Sequence, residues 1–299
     1  MYMEKSTKST AQKEVESKIV KLVDKSDKTV GQSFRQSDVD RWGRSESTRQ
    51  LTRKIFDPIY SKYFRTEWDG LEKIPAKGGA LLVSNHAGAI PPDAPVIMHG
   101  IEKELNRPVY GLADFWFRTL PIGGTLWNRA GGVPAHPSNA YGILHDDQQL
   151  ALVFPEGVKG PSKLYKDRYQ LRRFGRGGFV EIAMRSGVPI IPIAVVGAED
   201  AMPILTKFPS VSKALSLPYF PLTLNQVLLT PFVGPILASV AYLPAKFKVR
   251  VLDPIYFDVP PDQLRYSKTK VLDESENIRI RIQDAIYDML AHRKNPWLG

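Results

Sequence analysis

From residue 80 onward the chain alternates short apolar runs with stretches of helical period. Ala80–Ser84, Val109–Ala113, Leu150–Phe154, Ile190–Val196 and Phe247–Leu252 are the candidate strands, several of them continuous runs of branched or apolar residues. Strands buried on both faces read this way, because neither face needs a polar alternation. Helix-like stretches lie between them. Gly178–Ser186 closes on Gly187, and Leu272–Arg293 carries Ile278, Ile282, Ile286 and Leu290 on one face, with Asp273 or Ser275 placed to cap it. The succession predicts an α/β fold, a mixed and largely parallel sheet flanked by helices. No internal repeat is visible.

Two regions depart from that pattern. Met1 to Lys54 is polar, with 13 Lys or Arg against 8 Asp or Glu, and it has no apolar stretch of the kind a secretory signal needs. Residues 1–50 therefore read as a basic, partly disordered arm, and 51–299 as the folded domain, ending in a helix over 271–293. The second departure is an apolar, proline-rich insertion, Ala214–Ala245, free of charge throughout. Its length could span a bilayer, but Pro218, Pro221, Pro231, Pro235 and Pro244, with Asn225 and Gln226, would leave backbone groups unsatisfied in hydrocarbon. The segment reads instead as one or two short helices in the membrane interface or lining an acyl tunnel, or as a buried hairpin of the core.

Composition narrows the class. At 299 residues the chain can bury a full core, and 43% hydrophobic residues is ordinary for a folded domain. Cysteine is absent, so disulfides and cysteine metal sites are excluded. The net charge of +10 attracts nucleic acid or anionic lipid, and its placement has to decide between them.

Candidate chemistry sits at the ends of the apolar runs. In Ser84-Asn85-His86-Ala87-Gly88-Ala89-Ile90-Pro91-Pro92-Asp93 an imidazole follows a strand directly, and a carboxylate stands a short loop away. A carboxylate that orients such a ring lets it draw a proton from a hydroxyl. Gly88, Pro91 and Pro92 keep the loop out of regular helix, and Asp93 is also placed to cap the helix that follows. Taken alone, His86 reads more readily as a hydrogen-bonded structural histidine. Leu152-Val153-Phe154-Pro155-Glu156-Gly157 displays an acid at a strand end, where α/β sheets hold ligand-contacting groups, although an acid in a plain turn has the same sequence.

Downstream, Lys159 to Arg176 holds seven cations against Asp167, as an anionic substrate or headgroup surface requires. Trp127 to His136 offers Arg129 and His136 around Gly131-Gly132, and Gly187-Val188-Pro189-Ile190-Ile191-Pro192 leads into a buried strand. Gly157 to Lys163 lacks the Gly-Lys-Ser/Thr ending of a Walker loop. Aromatics among the cations are sparse (Tyr165, Tyr169, Phe174), so no nucleic-acid partner is expected.

Taken in order, N-H…D, the glycine-rich block, F-P-E-G and V-P-I-I-P resemble the glycerolipid acyltransferase family, the lysophosphatidate-acyltransferase-like superfamily, over roughly Leu71 to Phe257. The first and third blocks carry most of the likeness. The resemblance implies His86 as general base on an acceptor hydroxyl, with Asp93 holding the ring. The hydroxyl attacks the thioester of acyl-CoA or acyl-carrier protein without an acyl-enzyme, and neither a cofactor nor a metal is needed. It also implies an acceptor site built from Asn85, Glu156, Gly157 and Lys159, with Arg129 or His136 as the phosphate contact.

Two details depart from the family. Six residues separate His86 from Asp93 where four are usual, as in a bacterial-type branch with a longer loop. His136 stands where the family often has arginine, so a neutral acceptor such as diacylglycerol joins glycerol 3-phosphate and lysophosphatidate as an option. The expected setting is peripheral or monotopic attachment to an anionic membrane surface at its cytoplasmic face. The rival reading is a membrane-associated lipid-binding protein of the same fold with weak or lost catalysis.

Overall fold

Side chains alternate across a strand, so a strand apolar at every position must meet a core on each face. β2 (Ala80–Ser84) does this: Leu81 and Val83 enter one buried cluster, Ala80 and Leu82 the other. The computed structural model describes residues 38–114, 123–261, 263 and 265–299. The chain divides into Met1–Asp40 and Arg41–Gly299, and the sheet lies in the second unit.

The other strands are β1 (Glu67–Asp69), β3 (Val109–Ala113), β4 (Gly132–Pro134), β5 (Leu150–Val153), β6 (Ile190–Val196), β7 (Ile204–Lys207), β8 (Pro221–Thr223) and β9 (Lys248–Val251). Seven of them form one sheet in the order β1-β9-β6-β2-β5-β3-β4, while β7 and β8 pair separately. Within the seven, only the β6–β9 contact is antiparallel. The fold is thus the mixed, largely parallel α/β sheet that the apolar runs predict.

The helices in chain order are α1 (Glu46–Pro58), α2 (Asp93–Leu105), α3 (Gly123–Arg129), α4 (Pro137–Tyr141), α5 (Gly178–Ser186), α6 (Ala198–Ala201), α7 (Pro209–Ala214), α8 (Leu224–Val240) and α9 (Lys268–Ala291). One face of the sheet packs Val180, Ala183 and Met184 of α5 with Ile278, Ile282 and Ile286 of α9. The other packs Val96, Ile97 and Ile101 of α2. Each such side chain contributes about 1.5–3 kcal/mol by leaving water, so these stripes fix which way α2 enters the sheet.

Two boundaries differ from the sequence reading. As far as residue 37 the expected arm lies outside the described residues. The second unit, however, starts at Arg41, ten residues before Leu51. Arg41 and Trp42 both donate to Asp147, Ser45 caps α1 through the Thr48 N–H, and the Arg49 guanidinium is buried against Glu102. Polar residues that satisfy one another in this way look like a solvated tail in sequence. α9 begins a turn early, because Ser267 caps it through the Lys270 N–H, whereas Ser275 lies inside the helix and donates to the Phe174 carbonyl.

The apolar insertion forms neither a span nor a core hairpin. Its centre, α8, is two helical arms broken at Gly234 (φ 78°), a left-handed backbone that a side chain would strain. Thr223 and Gln226 make a reciprocal cap at its start. Asn225 donates to the carbonyls of Ala201 and Ala241, and Gln226 reaches Ser239 across the two arms. These bonds hold the base of a helical hairpin while its tip stays bare: Phe232 is 84% exposed and Ile236 85%. Among the described residues no helix is long and apolar enough to cross a membrane.

Candidate active site

Parallel strands bring their carboxyl ends to one edge, so the residues following β2, β5 and β6 meet there. Asn85, the first residue past β2, continues the ladder with its side chain. Its amide donates to the Val195 carbonyl at 2.9 Å and accepts the Val195 N–H at 2.8 Å. That clamp ties the residue to β6, so Asn85 fixes where the loop leaves the sheet.

His86 comes next, its side chain 16% exposed. The Nδ1 atom lies 3.0 and 3.1 Å from the two oxygens of Asp93. Asp93 is fully buried and also accepts the N–H groups of Ala87 and Ala94, both at 2.7 Å. It is the first residue of α2 and not its cap, which is Pro92. The longer loop therefore does close, and Asp93 serves its helix and the histidine together. A carboxylate only accepts hydrogen bonds, so Nδ1 carries the proton and the Nε2 lone pair is left for a substrate. The Phe154 ring stacks on the imidazole with centroids 4.0 Å apart, fixing its plane.

Glu156 lies at the centre of the site but faces inward. One oxygen accepts the His86 N–H at 3.0 Å, the other accepts the Arg172 N–H at 2.7 Å, and Lys163 Nζ stands 3.4 Å from it. With its carboxylate fully buried, Glu156 holds the histidine backbone and is turned away from solvent. Gly157 takes a left-handed backbone (φ 55°) in the turn that follows. A Cβ on Gly160 would stand 2.6 Å from the His86 carbonyl oxygen, so only glycine lets this turn pack beneath the base. Lys159 is exposed in the same turn and keeps its ammonium at the surface.

The glycine-rich block is not gathered at this centre. β4 stands three strands from β2, roughly 14 Å away at about 4.8 Å per strand. Arg129 precedes β4, toward the amino edge of the sheet, and donates to the Gly43 carbonyl. His136 follows β4 and caps the short α4 by accepting the Ser138 N–H. The sequence reading also missed Lys163, counted there among surface cations although its side chain is 3% exposed. Its only sequence signal is the compact Gly160-Pro161 turn before it.

Among the described residues no group of three or more His, Asp or Glu side chains is placed to hold a metal. A cavity of about 410 Å³ opens beside Arg168, Asp200, Tyr287 and Arg293, and His86, Asp93 and Glu156 do not line it.

A strand-end histidine, a buried aspartate on its ring nitrogen and a glutamate on its backbone together form an arrangement able to draw a proton from a hydroxyl. The family model described as Acyltransferase matches residues 65–196, the stretch that carries His86, Asp93 and Glu156. An uncharacterized protein of Mycobacterium tuberculosis is 34% identical over 255 residues, 83% of this chain and 68% of its own length. The "DGAT1/2-independent enzyme synthesizing storage lipids" of Bos taurus is 28% identical over 148 residues, 50% of this chain and 43% of that one. The crystal structure of the 1-acyl-sn-glycerophosphate (LPA) acyltransferase PlsC from Thermotoga maritima superposes with a TM-score of 0.51 at 17% identity, covering 84% of each chain. The chain belongs to the glycerolipid acyltransferase family, and its enzyme class is acyltransferase.

Proposed function

We propose that the enzyme moves a fatty acyl group from acyl-CoA or acyl-carrier protein to a hydroxyl of a glycerolipid or lysophospholipid at the cytoplasmic face of a membrane. The observation that carries this is the Asp93–His86 pair, which leaves Nε2 free at the mouth of a rigid loop. The acceptor oxygen bonds to the thioester carbonyl carbon as Nε2 takes its proton. The tetrahedral adduct then collapses, the C–S bond breaks, and the imidazolium returns the proton to the leaving thiolate. Base assistance of this kind is worth about 10²–10⁴ in rate, and alignment of the two substrates supplies much of the rest. An acyl-enzyme has no support here: the chain lacks cysteine, and Ser84, two residues from the base, is fully buried.

The membrane setting rests on the helical hairpin. Between Ala201 and Ala245 the only charges are Lys207 and Lys213, so the chain flanking the exposed Phe232–Ile236 tip carries cations and no carboxylate. Apolar tips of this kind enter the headgroup boundary, and lysines favour anionic lipid. The base of the hairpin touches the catalytic loop, since Tyr219 donates to the Ala89 carbonyl at 2.5 Å. Membrane contact would thus set the base beside lipid.

A neutral hydroxylated lipid is the second reading of the acceptor. It is favoured by Arg129 and His136, which are tied up away from His86, and by relatives whose names refer to storage lipids and to phytyl esters. Labelled acyl-CoA and acyl-carrier protein, each offered with lysolipids, glycerol 3-phosphate and diacylglycerol, test the whole proposal. One esterified product is expected. Thioester hydrolysis without any ester product would overturn it.

A further inference from the structure

A lysine ammonium is strongly hydrated, and burying it is costly unless opposite charges replace the lost water. Lys163 meets that condition with two glutamates. Its Nζ stands 3.0 Å from Glu199 Oε1 and 3.4 Å from Glu156 Oε2, and it donates to the Gln170 carbonyl at 3.3 Å. Burial by itself would push the ammonium toward neutrality, but the attraction of Glu199 and then Glu156 raises its pKa above the usual lysine value. Glu199 moves the other way for a carboxyl: burial raises it although Lys163 and the Tyr169 N–H oppose the rise. One ammonium thus serves two buried carboxylates.

The division matters because Glu156 is the group that grips His86. Its two oxygens receive the His86 and Arg172 N–H groups, and a protonated carboxyl would make one of those oxygens a much weaker acceptor. Gly160, in the turn that leads to Lys163, packs against the His86 carbonyl, so the same turn supports the base from below. We propose that Lys163 is a positioning residue for acyl transfer, holding Glu156 as the carboxylate that fixes the backbone of His86. This role rests on His86 being the base, and it adds a residue that touches neither substrate nor imidazole.

Removing the ammonium leaves Glu156 and Glu199 buried as like charges, and they retain a proton between them at neutral pH. Arg279 of α9 also feels Glu156, which helps raise its pKa. Lys163→Met should therefore lower kcat by about 100-fold, the cost of a base displaced by about 1 Å, with the acceptor KM nearly unchanged. Its rate should climb with pH over a range where the wild type is flat, as the shared proton leaves. Adding Glu199→Gln removes the competing carboxylate and should restore part of the lost kcat, a coupling that loss of packing would not produce.

The test measures kcat, KM and the pH–rate profile for wild type, Lys163→Met and Lys163→Met/Glu199→Gln, with thermal melts and His86→Ala in parallel. Wild-type kcat and pH profile in a folded Lys163→Met would overturn the role. Should that variant fail to fold, the double variant decides: a kcat equal to wild type overturns the role, and a reduced kcat displaced to higher pH supports it. An active His86→Ala would overturn the base itself and this role with it.

Discussion

The catalytic loop and the α8 hairpin leave the same side of the fold and invert each other's composition. Around His86 the polar groups are buried: Asp93, Glu156, Lys163, Glu199 and Asn85 are all removed from water and all bonded. At the hairpin tip the apolar groups are exposed, with Phe232 and Ile236 facing solvent. Buried polar groups bring a fixed geometry, because each unmet bond is expensive. Exposed apolar groups bring an affinity without a geometry, since apolar burial has no direction. The first region thus holds a fixed arrangement of groups, and the second holds an apolar surface left in solvent.

The sharpest break in that comparison comes from the base. His86→Ala should abolish acyl transfer, a loss of about 10²–10⁴ in turnover, while vesicle binding and the melting temperature stay near wild type. Turnover measured beside cosedimentation checks it, and retained turnover would sink the mechanism. Asp93→Asn should come next, costing about 100-fold or more in turnover. An amide facing Nδ1 presents a donor where an acceptor stood, so Nε2 takes the proton and can no longer remove one. A variant that loses stability but keeps its turnover would reduce Asp93 to a support for α2.

The hairpin should fail in the opposite way. Phe232→Asp with Ile236→Asp removes two tip side chains worth about 1.5–3 kcal/mol each when buried, enough to weaken partition into anionic vesicles by about 100-fold or more. Turnover of a short-chain acceptor in solution should hold within about twofold, because the base of the hairpin keeps its Asn225 and Gln226 bonds. Unchanged cosedimentation would leave the apolar tip without its membrane role. A parallel loss of soluble turnover would show that the two regions are one.

How far each region was legible follows from the same contrast. Apolar runs announce buried strands, so β2, β3 and β6 could be placed to the residue. The pairing of His86 with Asp93 was visible because a strand end and a short loop already bring them close in sequence. Hidden instead were the partners chosen across the chain. Glu156 looks like a ligand contact at a strand end, but it turns inward because the His86 N–H, the Arg172 N–H and Lys163 await it there. Lys163 looks solvated among its basic neighbours, and only the fold supplies Glu199 from beyond β6. The hairpin's apolar character was plain in Ala214–Ala245, whereas its turn at Gly234 was masked by the prolines on either side.

The smallest expected effect separates the two regions by pH. On α2, the helix that carries Asp93, His99 is buried against Phe56 and Tyr60, with Nε2 3.1 Å from an Asp57 oxygen that also accepts from Lys103. Burial lowers its pKa below 6.5, and the Asp57 contact only partly offsets the fall. Above pH 6.5 the imidazole is neutral in both folded and unfolded chains, and its contribution to stability is complete. As the pH falls from there toward the depressed folded value, the unfolded chain binds a proton that the folded one refuses. Stability should decline across that window by no more than about 1.4 kcal/mol per pH unit. His99→Phe should flatten this part of the melting-temperature profile, and the Phe232→Asp/Ile236→Asp variant should keep it, since carboxylates at so exposed a tip titrate alike in the folded and unfolded chains. A slope that survived His99→Phe would move the pH sensitivity to another buried group of the catalytic half, and one that vanished in the hairpin variant would end the separation of the two regions.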